Sequence, residues 1–193
     1  MMAYSIMIVG VGGQGTLLAS RLIGDAMVRA GRDVKVSEVH GMSQRGGSVV
    51  TYVKYGDRVD SPIVDLGEAD LILSFELLEA ARWLPYLKTG GKLISNDRRI
   101  DPMPVITGAA KYPDGIDAAI RAAGADLTLL DALSLAVGAG SAKAVNVVLV
   151  GVAARQTDIP KEVWLESVRE TVPPKFLEMN LKAFELGYSY GDQ

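Results

Sequence analysis

Short apolar runs alternate along this chain with longer stretches in which apolar residues recur at helical spacing. Runs of the first kind predict buried strands, and stretches of the second kind predict helices that cover them. The pattern predicts strands at residues 4–9, 33–39, 48–54, 71–74, 92–95 and 126–131, with a short one at 105–107. It predicts helices at residues 16–23, 116–123, 142–155, 161–172 and 174–187, and one that starts at residue 76 and ends near residues 88–91.

Strands that alternate with helices favour a mostly parallel sheet covered on both faces. We therefore predict an α/β fold, a Rossmann-like doubly wound sheet with a helical C-terminal tail. Residues 1–193 are expected to form a single domain, with a Rossmann-like core at 1–140 and a helical part at 141–193.

One long apolar stretch, residues 132–154, resembles a membrane span in length but not in content. Lys143 and Asn146 lie near its middle, and Gly138 and Gly140 interrupt it. A charge in the middle of a span is costly in a bilayer, so two consecutive buried segments that break near residues 138–141 are the better interpretation. The apolar N-terminus has neither a basic region nor a cleavage site and is read as a strand, so a cytoplasmic protein is expected.

Composition narrows the possible functions. The chain has 193 residues, a formal net charge of −3 and no cysteine. The charge and the lack of a long basic cluster argue against nucleic-acid binding. Without cysteine the chain cannot form disulfides, thiolate zinc sites or Cys-ligated iron–sulfur clusters. We assign it neither a catalytic residue nor a metal site.

The first strand is followed directly by a glycine-rich turn, Gly10-Val11-Gly12-Gly13-Gln14-Gly15. Strand, G-x-G-x-x-G turn and helix in this order are typical of a nucleotide-binding site, because the helix N-terminus offers free N–H donors to a phosphate. The turn is not a Walker P-loop, since Thr16 and Leu17 follow it. It could hold a phosphate or be occupied by the backbone of a partner.

The second predicted strand ends in Glu38, where a dinucleotide-binding fold places an acidic residue. An unusual polar loop follows, with His40, Ser43, Gln44, Arg45 and Gly46. Arg45 suits a phosphate or a partner carboxylate, whereas His40, the one histidine of the sequence, is more typical of a structural hydrogen-bonding group than of a catalyst.

Polar residues also follow the later strands. Ser74 and Asn96 come at the expected ligand edge of the sheet, but Ser74 could instead cap the next helix, with Glu76 in its first turn. Asn146 lies in an apolar helix and needs hydrogen-bond partners, so it could brace the glycine turn. Lys143 is a candidate phosphate contact or a plain surface lysine.

Four blocks of sequence together resemble the gamma-type domain of the 2-oxoacid:ferredoxin oxidoreductases. They are the glycine-rich turn at 10–15, the stretch 38–47, the stretch 68–73, and Asn146 with residues 149–151. The tail at 174–184 is also similar. The resemblance covers nearly the whole chain and is greatest to the small (beta) subunits of the indolepyruvate type.

The resemblance implies a non-catalytic-centre subunit of an enzyme that oxidatively decarboxylates a 2-oxo acid to an acyl-CoA and reduces ferredoxin. Thiamine diphosphate and [4Fe-4S] clusters would lie on a large partner subunit, through which ferredoxin is reached, and coenzyme A would be the co-substrate bound near this domain. Such a subunit is expected to be inactive alone, to contact neither nucleic acid nor membrane, and to be able to self-associate when isolated.

The candidate cofactor-binding residues, from the motifs and the resemblance together, are Gly10, Gly12, Gly13, Gln14, Gly15, Glu38, His40, Ser43, Gln44, Arg45, Gly46, Ser74 and Asn96. Two other functions stay open at this point. The glycine turn and Glu38 also fit a free-standing NAD(P)-dependent dehydrogenase. An adenylating enzyme with a G-x-G-G-x-G turn fits less well, because the sequence lacks both its Asp-x-Asp pattern and a Cys-x-x-Cys zinc site.

Overall fold

A computed structural model describes residues 3–39 and 47–191 of the chain. The strands are Tyr4–Val11 (β1), Asp33–Val39 (β2), Ser48–Gly56 (β3), Ala69–Ser74 (β4), Leu87–Asn96 (β5) and Asp126–Leu130 (β6). The helices are Thr16–Arg29 (α1), Leu77–Trp83 (α2), Met103–Ile106 (α3), Ile116–Ala122 (α4), Ala132–Ala139 (α5), Val145–Ala154 (α6), Lys161–Thr171 (α7) and Leu177–Tyr188 (α8). Short 3-10 turns precede β5, α6 and α8.

The described strands form a six-stranded sheet in the order β2-β3-β1-β4-β5-β6. β1, β4, β5 and β6 pair in parallel, whereas β3 is antiparallel to both of its neighbours, β1 and β2. The fold is therefore α/β with a mostly parallel sheet, as predicted. The insertion of β3 between β1 and β2 is the feature that the apolar pattern did not specify, since an alternating strand has the same pattern in either direction.

Alternation along β1 divides the core into two layers. Ile6 and Ile8 face the layer that contains α1, α5, α6, α7 and α8, whereas Met7 and Val9 face the layer that contains α2 and α4. Each of these four side chains is fully buried. Because successive side chains of a strand point to opposite faces, a strand buried on both faces is apolar throughout.

The C-terminal helices form part of the first layer rather than an appendage. Every residue of α6 from Asn146 to Ala154 is buried, because α8 covers the side of α6 that the sheet does not. The two helices approach closely at glycines: a Cβ atom on Gly151 would lie 2.3 Å from the Phe184 carbonyl oxygen, and one on Gly187 would lie 2.0 Å from that of Val148.

Two predicted elements differ from the structure. The strand predicted at 105–107 is wrong, because this segment lies in and after the helical turn α3, where Pro102 accepts from the backbone N–H groups of Val105 and Ile106. The helix that starts after Glu76 ends at Trp83 instead of near residues 88–91, since Leu84–Tyr86 turns the chain and Leu87 already pairs with Ala69 in the sheet.

The apolar stretch at 132–154 forms α5 and α6, which are separated by Gly140 and a 3-10 turn. The break confirms the predicted division into two segments. Only α6 is buried as predicted, whereas α5 buries one side and leaves Val137 58% exposed. Among the described residues, no helix has the length and apolar content needed to cross a membrane.

Candidate functional site

The glycine-rich turn lies where the sheet changes winding direction. It leaves the carboxyl end of β1, whose chain continues through α1 toward β2, while β4 and β5 extend the sheet on the other side. Ligands of doubly wound folds bind at such a switch point. The candidate site is therefore built from the ends of β1, β4 and β5 and the starts of α1, α5 and α6.

Gln14 fixes the shape of the turn. Its Oε1 accepts from the Val11 backbone N–H at 2.6 Å, and its Nε2 donates to the Phe75 carbonyl oxygen at 2.9 Å. The turn after β1 is thus tied to the end of β4. Gly10 makes room for this link, because a Cβ atom there would lie 2.8 Å from Gln14 Oε1.

Asn146 braces the other end of the turn, as its position in an apolar helix suggested. Its Nδ2 donates to the Gly15 carbonyl oxygen at 3.3 Å, and its Oδ1 accepts from the Val147 backbone N–H at 2.9 Å. Gly15 has φ +84°, and a Cβ atom on it would lie 2.8 Å from Asn146 Nδ2. Glycine is therefore required at this position both by backbone conformation and by space.

Asn96 connects three strand ends. Its Nδ2 donates to the Phe75 carbonyl oxygen at 3.4 Å, and its Oδ1 accepts from the Ala132 backbone N–H at 3.1 Å. The side chain is 3% exposed, so its amide serves mainly to hold the first turn of α5 beside the end of β4.

A cavity of about 480 Å³ opens between these elements. The glycine turn contributes Gly13, Gln14 and Gly15 to its wall. Three further parts of the chain complete the wall: Phe75 follows β4, Asn96 ends β5 and is followed by Arg98 and Ile100, and the other lining residues belong to the α5–α6 region. The lining residues outside the turn are Phe75, Asn96, Arg98, Ile100, Leu133, Ala142, Lys143, Val145 and Asn146.

Arg98 and Lys143 give this cavity its charge. Both are exposed. Arg98 reaches the cavity from the segment after β5, and Lys143 reaches it from the 3-10 turn before α6. Gly13, at φ +97°, has no atom within 4 Å of the place a Cβ would take, so the turn presents backbone with open space before it. Exposed cations beside a glycine turn and a helix N-terminus fit a phosphate.

A second cavity of about 340 Å³ lies on the other side of the glycine turn. The described residues that line it include Thr16 and Leu17 of α1, Val39 of β2, and Val49 and Thr51 of β3. Gly12, Gly13 and Gly15 form the wall on the side of the turn.

Glu38 lies near this second cavity but does not line it. Its Oε1 accepts from the Ser20 hydroxyl at 2.9 Å, which links β2 to α1. Ligand binding by Glu38 remains a prediction.

Ser74 has a different place from the one predicted. It is fully buried and donates to the Glu76 carbonyl oxygen at 2.6 Å, and it does not line the main cavity. It does not cap α2 either: the N-cap is Glu76, whose carboxylate accepts from the Glu79 backbone N–H at 2.9 Å. The helix starts later because Phe75, the residue after β4, still donates its backbone N–H to the Val9 carbonyl oxygen of β1.

Glu76 and Glu79 are both buried, and they link α2 to different parts of the chain. Glu76 accepts from the Tyr112 hydroxyl at 2.6 Å, and burial together with this bond raises the pKa of Tyr112 above its ordinary value. Glu79 accepts from the Ser48 hydroxyl at the start of β3 and from Trp83 Nε1 at 3.3 Å.

The predicted polar loop with His40, Ser43, Gln44, Arg45 and Gly46 lies outside the described residues. Its following residue, Gly47, is held at the site, because the Gly12 backbone N–H donates to the Gly47 carbonyl oxygen at 3.0 Å. Gly47 therefore lies directly against the glycine turn.

Sequence reasoning missed Arg98. The residue lies in a stretch, 97–101, in which every residue but Ile100 is charged and which looks like an ordinary solvated connection. The one available signal was its place just after a strand that ends at the ligand edge. By contrast Gly13, Gln14, Gly15 and Asn96, all predicted from the sequence, line the main cavity.

Comparisons with known proteins agree with this architecture. The family model described as pyruvate ferredoxin/flavodoxin oxidoreductase matches residues 5–190. A similar relative is indolepyruvate oxidoreductase subunit IorB of Thermococcus kodakarensis, 46% identical, with 97% of this chain and 95% of the relative covered.

Solved structures have the same fold. A gamma subunit of a keto/oxoacid ferredoxin oxidoreductase from Geobacter sulfurreducens matches with a TM-score of 0.72 and 26% identity, covering 96% of both chains. The chain also matches 30% of a longer chain with a TM-score of 0.72 and 18% identity. That protein is a 2-oxoglutarate:ferredoxin oxidoreductase from Magnetococcus marinus with 2-oxoglutarate, coenzyme A and succinyl-CoA bound. At this identity the match shows the fold alone.

Proposed function

Because this chain belongs to the pyruvate ferredoxin/flavodoxin oxidoreductase family, we propose that it is the small subunit of an indolepyruvate:ferredoxin oxidoreductase. The resemblance inferred from the sequence is thereby confirmed at the level of the family. The proposed enzyme oxidatively decarboxylates an aryl 2-oxo acid, forms an acyl-CoA and reduces ferredoxin. The name of the Thermococcus kodakarensis relative, indolepyruvate oxidoreductase subunit IorB, supports the choice of indolepyruvate.

We propose that the cofactors lie on the large partner subunit and not on this chain. The sequence contains no cysteine, so Cys-ligated clusters belong to the large partner subunit, together with thiamine diphosphate and the contact with ferredoxin. The small chain acts as one domain, since the α6–α8 helices share a core with the sheet. We also propose that it works in the cytoplasm. Alone it has no turnover.

We propose that the cavity beside the glycine turn seats a phosphate of coenzyme A, which brings the acyl-accepting thiol to the enzyme. The observation that carries this proposal is the presence of Arg98 and Lys143 in one cavity with the open backbone of Gly13. The two cations offset phosphate charge, and the glycines allow the phosphate to approach the N–H groups at the start of α1. Gln14, Asn96 and Asn146 hold these walls through the hydrogen bonds described above.

The experiment is co-purification of this chain with its large partner, followed by steady-state kinetics with indolepyruvate, coenzyme A and ferredoxin. Arg98→Ala and Lys143→Ala should each raise KM for coenzyme A on the order of tenfold, because a charged hydrogen bond is lost. Arg121→Ala removes an exposed cation from α4, outside the cavity, and should leave this KM unchanged.

Other outcomes would contradict the proposal. If the chain purifies without a thiamine-containing partner and binds NAD(P) saturably, it is a free-standing dehydrogenase. If Arg98→Ala and Lys143→Ala weaken the complex without changing KM for coenzyme A, the glycine turn receives the partner's backbone and not a phosphate.

A further inference from the structure

A buried carboxylate holds the part of the backbone that carries Arg98. Glu76 is 1% exposed and lies at the N-cap of α2. Its Oε1 accepts from the Ile100 backbone N–H at 3.1 Å, while the Leu77 backbone N–H donates to the Arg98 carbonyl oxygen at 3.0 Å. The N-terminal end of α2 is thus hydrogen-bonded to the 98–100 segment at two points, one on each side of Arg99.

Tyr112 completes this arrangement. Its hydroxyl donates to the same Glu76 oxygen at 2.6 Å, and its ring lies beneath the Arg99 guanidinium, with 4.4 Å from Cζ to the ring centroid. Arg99 also pairs with Asp101 at 2.6 Å. The side chain next to Arg98 is therefore held away from the main cavity, whose lining includes Arg98 and Ile100 but not Arg99.

We propose that Glu76 is a positioning residue for the coenzyme A seat: through Ile100 and Tyr112 it fixes the backbone from which Arg98 enters the cavity wall. This inference rests on the proposed function. An exposed arginine on an unfixed loop loses more conformational freedom when it binds a phosphate, so a fixed backbone strengthens binding without touching the ligand.

The chemistry requires a carboxylate of this length. Three donors converge on Glu76, namely the backbone N–H groups of Glu79 and Ile100 and the Tyr112 hydroxyl. A carboxylate accepts all three bonds, whereas an amide would turn its NH₂ group toward one of the two N–H donors. Aspartate is a favoured N-cap residue but is one methylene shorter, so it keeps the cap of α2 and loses the reach to Ile100.

Glu76→Asp therefore separates the positioning role from the helix cap. In the complex with the large subunit we expect KM for coenzyme A to rise about tenfold with kcat within about twofold of the wild type, the pattern of lost uniform binding. In the full chain alone, amide hydrogen exchange in the peptide 97–102 should become faster. Tyr112→Phe keeps the carboxylate and should shift both readouts in the same direction by less, which also serves if Glu76→Asp fails to fold.

Asp70→Asn is the matched control. Asp70 is also a mostly buried carboxylate that accepts from a backbone N–H, that of Ser5 at 2.7 Å, but it lies at the opposite edge of the sheet. Even if Asp70→Asn destabilises the chain as much as Glu76→Asp does, it should change neither KM for coenzyme A nor hydrogen exchange in the peptide 97–102.

A double mutant decides whether Glu76 acts through Arg98. If it does, Glu76→Asp combined with Arg98→Ala has the same KM for coenzyme A as Arg98→Ala alone. Two results would overturn the inference and leave the proposed function intact. In the first, the double mutant raises KM for coenzyme A by the product of the two single effects. In the second, Arg98→Ala raises this KM while Glu76→Asp has a normal KM and normal hydrogen exchange. A third result would separate the two proposals: hydrogen exchange in the peptide 97–102 is faster in Glu76→Asp, but Arg98→Ala has a normal KM for coenzyme A. Glu76 would then hold this segment as described, and the proposed coenzyme A site would be wrong.

Discussion

At the scale of single residues, the site depends on which polar atoms donate and which accept. Gln14 needs both halves of its amide, because Oε1 accepts from Val11 and Nε2 donates to Phe75. The Phe75 carbonyl oxygen also receives a longer bond from Asn96. The turn therefore keeps its shape only while residue 14 has both a donor and an acceptor.

Gln14→Glu tests this requirement with almost no change in size. The new carboxylate cannot donate to the Phe75 carbonyl oxygen and repels it. We therefore expect the free energy of unfolding, measured with urea, to fall by about 1–2 kcal/mol. The added negative charge beside the cavity should also raise KM for coenzyme A in the complex.

Gln156→Glu is the corresponding control. Gln156 Oε1 accepts from Lys92 Nζ at 2.7 Å on the surface, so a carboxylate there retains its partner, and stability should change by about 0.5 kcal/mol or less. Equal losses of stability in the two variants would mean that the donor of Gln14 has no special role.

At the same scale, the sequence identified residues by type better than by contact. Asn146 was predicted to brace the turn because a buried amide needs partners, and the structure confirms it. Ser74 could not be placed, because its neighbour Phe75 continues the pairing with β1 for one more residue and moves the cap to Glu76. Such a shift depends on pairing between distant strands, which no local pattern records.

At the scale of elements, α6 and α8 cross with their backbones close together. Gly151 and Gly187 each lie against backbone of the other helix, so the two axes approach more closely than larger residues would allow. This contact keeps α6 close to the glycine turn that Asn146 braces.

Gly151→Ala should therefore separate the helices. Its Cβ would be placed 2.3 Å from the Phe184 carbonyl oxygen, which is backbone and cannot rotate away. We expect a loss of about 3 kcal/mol in the free energy of unfolding, measured with urea, at the upper end for overpacking.

Gly138→Ala makes the same change in α5, where no atom lies within 4 Å of the new Cβ. There the better helix propensity of alanine should stabilise the chain by about 0.5–1 kcal/mol. Opposite signs for the two variants are the expected result, and a stable Gly151→Ala would contradict the close crossing.

The sequence predicted whether a segment is a helix or a strand where the apolar spacing extends over many residues. It did not predict the direction in which a strand runs in the sheet. The strands at 33–39 and 48–54 follow from apolar alternation, but the antiparallel insertion of β3 depends on its pairing with β1 and β2. The helical turn α3 was missed because Pro102 and Pro104 look like irregular chain, although proline also suits the first turn of a helix.

At the scale of the whole molecule, the edge of the sheet that carries the cavity also carries apolar side chains in solvent. Met103 and Ile106 of α3 are 63% and 66% exposed, and they follow Ile100 of the cavity wall. Leu17 and Val39, at the same edge, are 40% and 54% exposed. A cavity that must meet the thiamine centre of a partner would have such side chains around it.

Replacement of Met103 and Ile106 together by lysine should weaken association with the large subunit by about tenfold or more, because two buried apolar contacts become charges to be desolvated. The urea midpoint of the isolated chain should not change, since both side chains already lie in solvent.

Val28→Lys is the matched control: Val28 is 60% exposed near the end of α1, at the opposite edge of the sheet. Titration of the large subunit with each variant measures the effect, and equal affinities for all three chains would place the partner on another surface.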